Sequence, residues 1–582
     1  MDANILKKRR EKWSEMLPDA IDETALTQEV VLQEVTDVGV SVGRSQAMQI
    51  QQGLIQVLLY EKDGFHSVLG FTPLILRWLL HVQEEGAAAT LVLQFQETLH
   101  ALALLLGQFT KKVTHTLQGH IIAVEIEAQR EDPSPSPAPH LPSTMCSFRP
   151  CWACCCLLLF FSLEVQGSPK PPSAAPEQVH LSYSGEPGSM TVTWTTWVPV
   201  PSEVQYGLQP SGPLPFQARG TFSPFVDGGI LRRKLYIHRV SLQGLLPGVQ
   251  YVYRCGSAQG WSRRFRFQAL KNGPHWSPRL AVFGDLGADN PRALPRLRRD
   301  TQQGMYDAVL HVGDFAYNMD QDNARVGDRF MKLIEPVAAS LPYMTCPGNH
   351  EERYNFSNYK ARFSMPGNTE GLWYSWDLGP AHIISFSTEV YFFLHYGRHL
   401  VERQFHWLES DLQKANKNRA VRPWIITMGH RPMYCSNADL DDCTWHESKV
   451  RKGLRGKFYG LEDLFYKYGV DLELWAHEHS YERLWPIYNY QVLNGSQEMP
   501  YTHPRGPVHI ITGSAGCEEL LTPFTLFPRP WSALRVKEYG YTRLHILNGT
   551  HVHIQQVSDD QDGKIVDDVW VVRPLLGRTM YP

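Results

Sequence analysis

Five short apolar runs, each closing on a polar cluster led by a small residue, constrain the fold of this chain more than any other feature. They are LAVF ending at Gly284-Asp285, DAVLHV at Gly313-Asp314, LPYMTCP at Gly348-Asn349-His350, PWIITM at Gly429-His430, and VDLELW at Ala476-His477-Glu478-His479. Short apolar runs bounded by turn residues suit buried strands. Helical spacing fills the gaps: Val401, Phe405, Leu408 and Leu412 share one face, and Gly327–Glu335 reads as a second helix stopped by Pro336. Strands alternating with helices predict βαβ units, whose ligand sites lie at the carboxyl ends of strands. All five clusters follow their runs, so they are expected to converge on one sheet edge.

The residue types then suggest a chemistry. Two Asp, one Asn, three His and Tyr317 form a hard-to-borderline donor set, suited to iron, manganese or zinc rather than soft copper. Asp314, in the middle of the series, can bridge two ions. A single Gly-Asp is ordinarily a turn, and a single His a satisfied polar residue; five such clusters in order argue for one site. Charge excludes another class of function. Lys+Arg 56 against Asp+Glu 59 leaves −3, with no overall basic footprint for nucleic acid.

The rest of the chain divides unevenly. Residues 177–270 alternate with period two (Val179/Leu181/Tyr183, then Met190/Val192/Trp194) and predict a β-sandwich. Leu245–Tyr251 places an aromatic after a Pro-Gly turn, as at the tyrosine corner of fibronectin-type domains. Upstream, residues 145–167 have the layout of a secretory signal peptide: Arg149, an apolar core from Cys154 to Leu163, and Val165 and Gly167 before a cut at Ser168. That core is about half the ~20 residues a membrane span needs, so no span is expected in the mature form. Residues 132–144 read as a Pro/Ser linker, and 1–131 as a helical extension without a catalytic constellation. Two readings of this extension stand: an upstream segment joined to a protein that starts at Met145, or an adaptor domain followed by an inactive signal segment.

The blocks GDLG (284–287), GDFAY (313–317), GNHE (348–351), GH (429–430) and AHEH (476–479) resemble those of the metallophosphoesterases. Tyr317, three residues after Asp314, makes the resemblance one to the purple acid phosphatases, in their long plant-like form, over residues 170–575. The resemblance implies an α/β metallophosphoesterase β-sandwich flanked by helices over 279–575, preceded by an all-β fibronectin III-like domain. It further implies Fe(III) held by Asp285, Tyr317 and His479, and a divalent ion, zinc or else iron or manganese, held by Asn349, His430 and His477. Asp314 would bridge the two. The activity implied is acid phosphatase, hydrolysis of phosphate monoesters by hydroxide held on this binuclear centre. Alternatives are a phosphodiesterase or nucleotide pyrophosphatase with the same centre, and a secreted binding protein with a vestigial site. By the same resemblance His350 would bind no metal but contact the substrate phosphate and help move a proton. The histidine pair that plant relatives carry after the Gly-His block is absent; His446 is the histidine left as general acid, with Asp439 or Asp441 in competition.

Outside the apolar leader the cysteines are Cys255, Cys346, Cys435, Cys443 and Cys517, an odd number that leaves at least one unpaired or in an intermolecular link. Cys435 and Cys443 are the expected disulfide, and Cys346 reads as a small core residue. Asn355, Asn494 and Asn548 are glycosylation acceptors, consistent with a secreted or endolysosomal destination. Gly506–Gly516 and Tyr541–Val557 return to strand alternation and are expected to complete a second sheet.

Overall fold

The computed structural model describes residues 173–574; the extension, the linker and the leader segment expected over 1–167 lie outside the described residues. Two β-sheets face each other over residues 177–268. One has the strand order Glu177–Ser182, Met190–Thr196, Lys234–Leu242, Thr221–Val226. The other is built around Gln250–Ser257, which pairs with Glu203–Gly207 and Phe265–Gln268. Their alternate residues meet in one core: Val179, Leu181, Val192 and Trp194 against Val204, Tyr251, Tyr253 and Phe267. The Tyr251 hydroxyl accepts the Leu246 N–H at 3.0 Å, closing the corner over the Pro-Gly turn.

The five apolar runs are all strands, shared between two further sheets. Tyr343–Cys346, Ala308–Val312 and Arg279–Phe283 are parallel neighbours in a six-stranded sheet. Trp424–Met428 and Leu472–Trp475 are parallel neighbours in a seven-stranded one, beside Ala381–Ser385 and Val508–Thr512. One edge of one sheet is therefore not where the clusters converge. They meet where the carboxyl ends of two facing sheets come together.

Alternation explains how such apolar strands are covered. Leu280, Val282, Leu310 and Val312 point into the layer between the sheets, with Ile383, Ile426, Leu474 and Ile510 opposite. Ala281, Phe283 and Val309 point outward against helices, contacting the cluster that holds Leu297, Phe330, Met331 and Ile334. The helix His399–Lys417 buries Val401, Leu408 and Leu412, as its spacing predicts. The other expected helix runs on through Pro336 to Ala338, with left-handed backbone at Asp322–Ala324 near its start. Pro336 lacks an N–H, but it falls in the last turn, where Ile334 and Val337 are buried and Ala339 N–H still reaches the Glu335 carbonyl at 2.9 Å.

The C-terminal strands depart from expectation. Val508–Thr512 extends the seven-stranded sheet, whereas Gly540–Ile546, His551–Ser558 and Lys564–Val572 add to the six-stranded one, beside the first strand of the domain. They complete two sheets rather than forming one. The sandwich is tied to this domain by the buried Arg362. Its Nη1 donates to Gln178 Oε1 and Asp328 Oδ1, both at 3.0 Å. Among the described residues no helix is long and apolar enough to cross a membrane.

Candidate metal centre

Each cluster follows a strand end, and the small residue leading it is demanded by crowding. Gly313 has φ +84°, and a Cβ there would collide with the His430 ring; a Cβ on Gly348 would collide with the Asp314 carboxylate. The chain then bends sharply. Asp285, Asp314, Tyr317 and His477 all have left-handed backbone, with φ of 57°, 51°, 55° and 70°. Such conformations cost about 1–3 kcal/mol each for non-glycine residues and gather at functional sites. Here they turn successive side chains off the strand axis toward a common centre.

All seven expected ligands come together, in two groups. In the first, the His430 Nε2 lies 3.1 Å from Asp314 Oδ2, 3.2 Å from Asn349 Oδ1 and 3.2 Å from His477 Nδ1. In the second, the Tyr317 hydroxyl donates to Asp285 Oδ1 at 3.1 Å and lies 2.8 Å from His479 Nε2, which is itself 3.5 Å from Asp285. Asp285 joins the groups, since its Oδ2 accepts the His477 backbone N–H at 2.9 Å. The potential ligand atoms of Asp314, His430 and His477 all fall within 4.8 Å of one another, a span that one ion can bridge.

The outward nitrogen of each histidine is also engaged. His430 Nδ1–H donates to the Val312 carbonyl at 2.8 Å, and His479 Nδ1–H to the Leu520 carbonyl at 2.9 Å. Histidines that bind metals use the second nitrogen in this way, which fixes ring and tautomer. The inward nitrogens are left facing carboxylate, amide and phenol oxygens. The donor set thus fits two cations of the hard-to-borderline class.

Electrostatics fit the same reading. Burial would lower the His430 pKa, but the Asp314 charge overrides it and lifts the value to about 10. A proton on Nε2 and a cation compete for one position. Burial, and then the Asp285 charge, push the Tyr317 phenol well above its ordinary range, so only a strongly polarising cation would displace its proton.

His350 stands beside this centre. Its ring packs on Tyr317 with centroids 4.4 Å apart, its Nδ1 meets Asn318 Oδ1 at 3.0 Å, and its Nε2 lies between Asp314 at 3.9 Å and Glu519 at 3.6 Å. His446 is elsewhere. Its side chain is 74% exposed, pairs with Glu447 and stacks on Tyr490, because the short helix Asp442–Thr444 turns the chain away after Asp441. That placement does not suit a proton donor at this centre. Asp441 is the member of its loop that reaches the cluster, at the Nε2 of His477.

Two further residues carry roles that sequence reasoning did not assign. Glu351 accepts the N–H groups of Asp314, Gly348 and Phe315 at 2.9–3.0 Å, fastening two ligand loops together. Its position within the GNHE block was the available signal. Arg431, next to His430, pairs with the buried Glu389. Cys435 and Cys443 form a disulfide, which removes them as ligands beside Glu478; Cys255, Cys346 and Cys517 are free and buried. Of the acceptor asparagines, Asn355 and Asn548 are exposed and Asn494 is half-buried.

Comparison with known proteins gives the lineage. Three family models match in chain order: the purple acid phosphatase N-terminal domain over residues 176–269, the calcineurin-like phosphoesterases over 278–481, and the iron/zinc purple acid phosphatase-like protein C over 506–568. Acid phosphatase type 7 of Homo sapiens is 90% identical over 430 residues, 74% of this chain and 98% of that protein. The Fe(3+)-Zn(2+) purple acid phosphatase 12 of Arabidopsis thaliana is 31% identical over 426 residues, 68% of this chain and 84% of that one. Among solved structures, a purple acid phosphatase from yellow lupin (Lupinus luteus) seeds aligns with a TM-score of 0.60 at 24% identity, covering 70% of this chain and 77% of its own, a likeness of fold. A relative this similar along nearly its whole length, together with the ordered succession of all three models, establishes that the chain belongs to the purple acid phosphatase family.

Proposed function

We propose that this chain is an acid phosphatase that hydrolyses phosphate monoesters at a binuclear centre. Asp285, Tyr317 and His479 would hold Fe(III), Asn349, His430 and His477 a divalent ion, and Asp314 would bridge them. The observation that carries the reading is the convergence of seven buried or nearly buried donors at two facing sheet ends, with His430 and His479 anchored from outside by backbone carbonyls. The plant relative named for Fe(3+) and Zn(2+) supports zinc as the second ion. Bound there, the ions would supply Lewis-acid charge to the phosphoryl group and lower the pKa of a water, so that the reaction runs in mild acid.

The chain's own groups do the rest. Asn318 takes the Nδ1 proton of His350, leaving its Nε2 directed at the space beside Asp314, where it can contact a phosphate oxygen or move a proton. Glu351 keeps the Asp314 and Asn349 loops in register while charge changes on the ligands.

The test is hydrolysis of a chromogenic monoester and the matching diester at mildly acidic pH, with and without chelator, alongside iron and zinc analysis. Chelator-sensitive turnover of the monoester supports the reading; preference for the diester would move it to the phosphodiesterase alternative. We also read the protein as secretory, entering that pathway through residues 145–167 and glycosylated at Asn355, Asn494 and Asn548. Secreted material should then begin near Ser168, and a chain still carrying Trp13 or Trp78 would refute the leader.

A further inference from the structure

His477 differs from its two partners. The outward nitrogens of His430 and His479 meet backbone carbonyls, whereas His477 Nε2 meets a side chain, the Asp441 carboxylate. Asp441 is in turn held. Arg431 Nη1 donates to its Oδ2 at 3.2 Å, and Arg431 Nε lies 3.1 Å from both oxygens of Glu389, which is fully buried. Thr388 completes this base, donating its hydroxyl to Glu389 and accepting the Arg431 backbone N–H. On the other side, Thr444 N–H and its hydroxyl both donate to the Asp441 carbonyl, and the Cys435–Cys443 disulfide closes the loop that carries Asp441.

This arrangement selects a tautomer. Arg431 Nη1 also lies 2.9 Å from His477 Nε2, but guanidinium nitrogens only donate. Were Nε2 a bare lone pair, it would face the Asp441 carboxylate lone pairs directly. With the proton on Nε2, Asp441 accepts from both neighbours, Arg431 Nη1 directs its N–H to Asp441 Oδ2 at 3.2 Å rather than to the ring, and no lone pairs oppose on this side of the imidazole. The Nδ1 lone pair then faces Asp314 and His430. We propose that Asp441, clamped by Arg431 and Glu389, is the positioning residue for the divalent half of the centre, presenting His477 Nδ1 to the ion. This rests on the ligand assignment above and goes beyond it, since it names the group that orients one of the proposed ligands.

The experiment compares Asp441→Ala and Asp441→Asn in the purified protein, reading zinc affinity, iron content and the visible Fe(III)–phenolate band. Outer partners of metal-binding histidines contribute about 10–100-fold in affinity. Asp441→Ala should therefore weaken zinc by that factor while iron and the visible band persist, the latter reporting an intact fold. Asp441→Asn keeps an accepting oxygen and should recover most of the zinc affinity. Unchanged zinc affinity in Asp441→Ala would overturn the proposal, as would loss of iron and zinc together, which marks a structural collapse. Both variants keeping zinc but losing turnover equally, most on poor leaving groups, would overturn it by making Asp441 the proton donor. A wild-type protein that takes up neither metal would fail at the earlier step, the ligand assignment itself.

Discussion

The β-sandwich and the strand-end cluster each bury histidines, and the two regions treat them in opposite ways. His238 lies in the sandwich, stacked on Trp194 with ring centroids 5.0 Å apart and bonded to the hydroxyls of Thr196 and Ser202, both at 2.8 Å. Burial lowers its pKa to about 4. His430, equally buried, is lifted to about 10, because its Nε2 faces the Asp314 carboxylate. Burial alone therefore decides nothing. Hydroxyls can both donate and accept, so they satisfy a neutral imidazole completely; a carboxylate demands positive charge, from a proton or from a metal ion. One histidine is a flat polar core residue, the other is placed as a ligand is in the proposed centre.

The largest test of that contrast is Asp314→Asn. It removes the anion shared by both proposed ions, so metal content should fall for both and turnover should drop by more than the about 10–100-fold typical of outer-sphere changes. Metal analysis and initial rates check this; full metal content with a normal rate would show the site is misplaced. Next is Tyr317→Phe, which keeps the ring and deletes the donor oxygen. The wild-type protein should be pink to violet, and the variant should lose its visible band while retaining part of its activity. A colourless, active, two-zinc wild type would refute iron and leave the phosphatase intact.

The sandwich responds differently. His238→Ala opens a cavity beside Trp194 and unpairs the Ser202 hydroxyl, whereas Thr196 keeps its bond to the Val198 carbonyl, at a cost of about 3 kcal/mol. Thermal unfolding should shift accordingly, with metal content and colour unaltered. Should zinc or iron be lost as well, the two regions would not be energetically separate.

Per pH unit, the smallest effect is on pH dependence. The folded-state pKa of His238 lies below the ordinary imidazole value of about 6.5, so the unfolded chain binds the extra proton. Its contribution is complete above about pH 6.5 and is lost as pH falls toward about 4, at up to about 1.4 kcal/mol per pH unit. Urea midpoints across this range should fall less steeply for His238→Gln than for wild type. Equal slopes would mean that His238 is not held neutral.

Much of the site was legible because it is locally encoded. Gly313 and Gly348 precede Asp314 and Asn349 where a Cβ would strike His430 or Asp314, so the glycine is part of the motif for a steric reason. The helix carrying Val401, Leu408 and Leu412 was legible for the same kind of reason, since one turn brings those side chains to one face. His446 was misleading. Its residue type suggested chemistry, but whether it faces the cluster depended on the turn after Asp441 and on Tyr490, more than forty positions away. Asp441 carried no more signal than its neighbour Asp439, and only its meeting with His477 and Arg431 distinguishes it.

By itself the sequence determined where strands end, which residues stand at those ends, and what class of ion they suit. These depend on side-chain alternation, turn chemistry and donor type, all properties of a few consecutive residues. Tertiary structure alone decided that the runs split between two sheets, that Gly540–Val572 returns to the first strand of the domain, and that His477 leans on a carboxylate while His430 and His479 lean on the carbonyls of Val312 and Leu520. Strand partners and outward hydrogen bonds join positions from about 40 to more than 200 residues apart. They are chosen by how both sheets pack at once, a choice that no local pattern records.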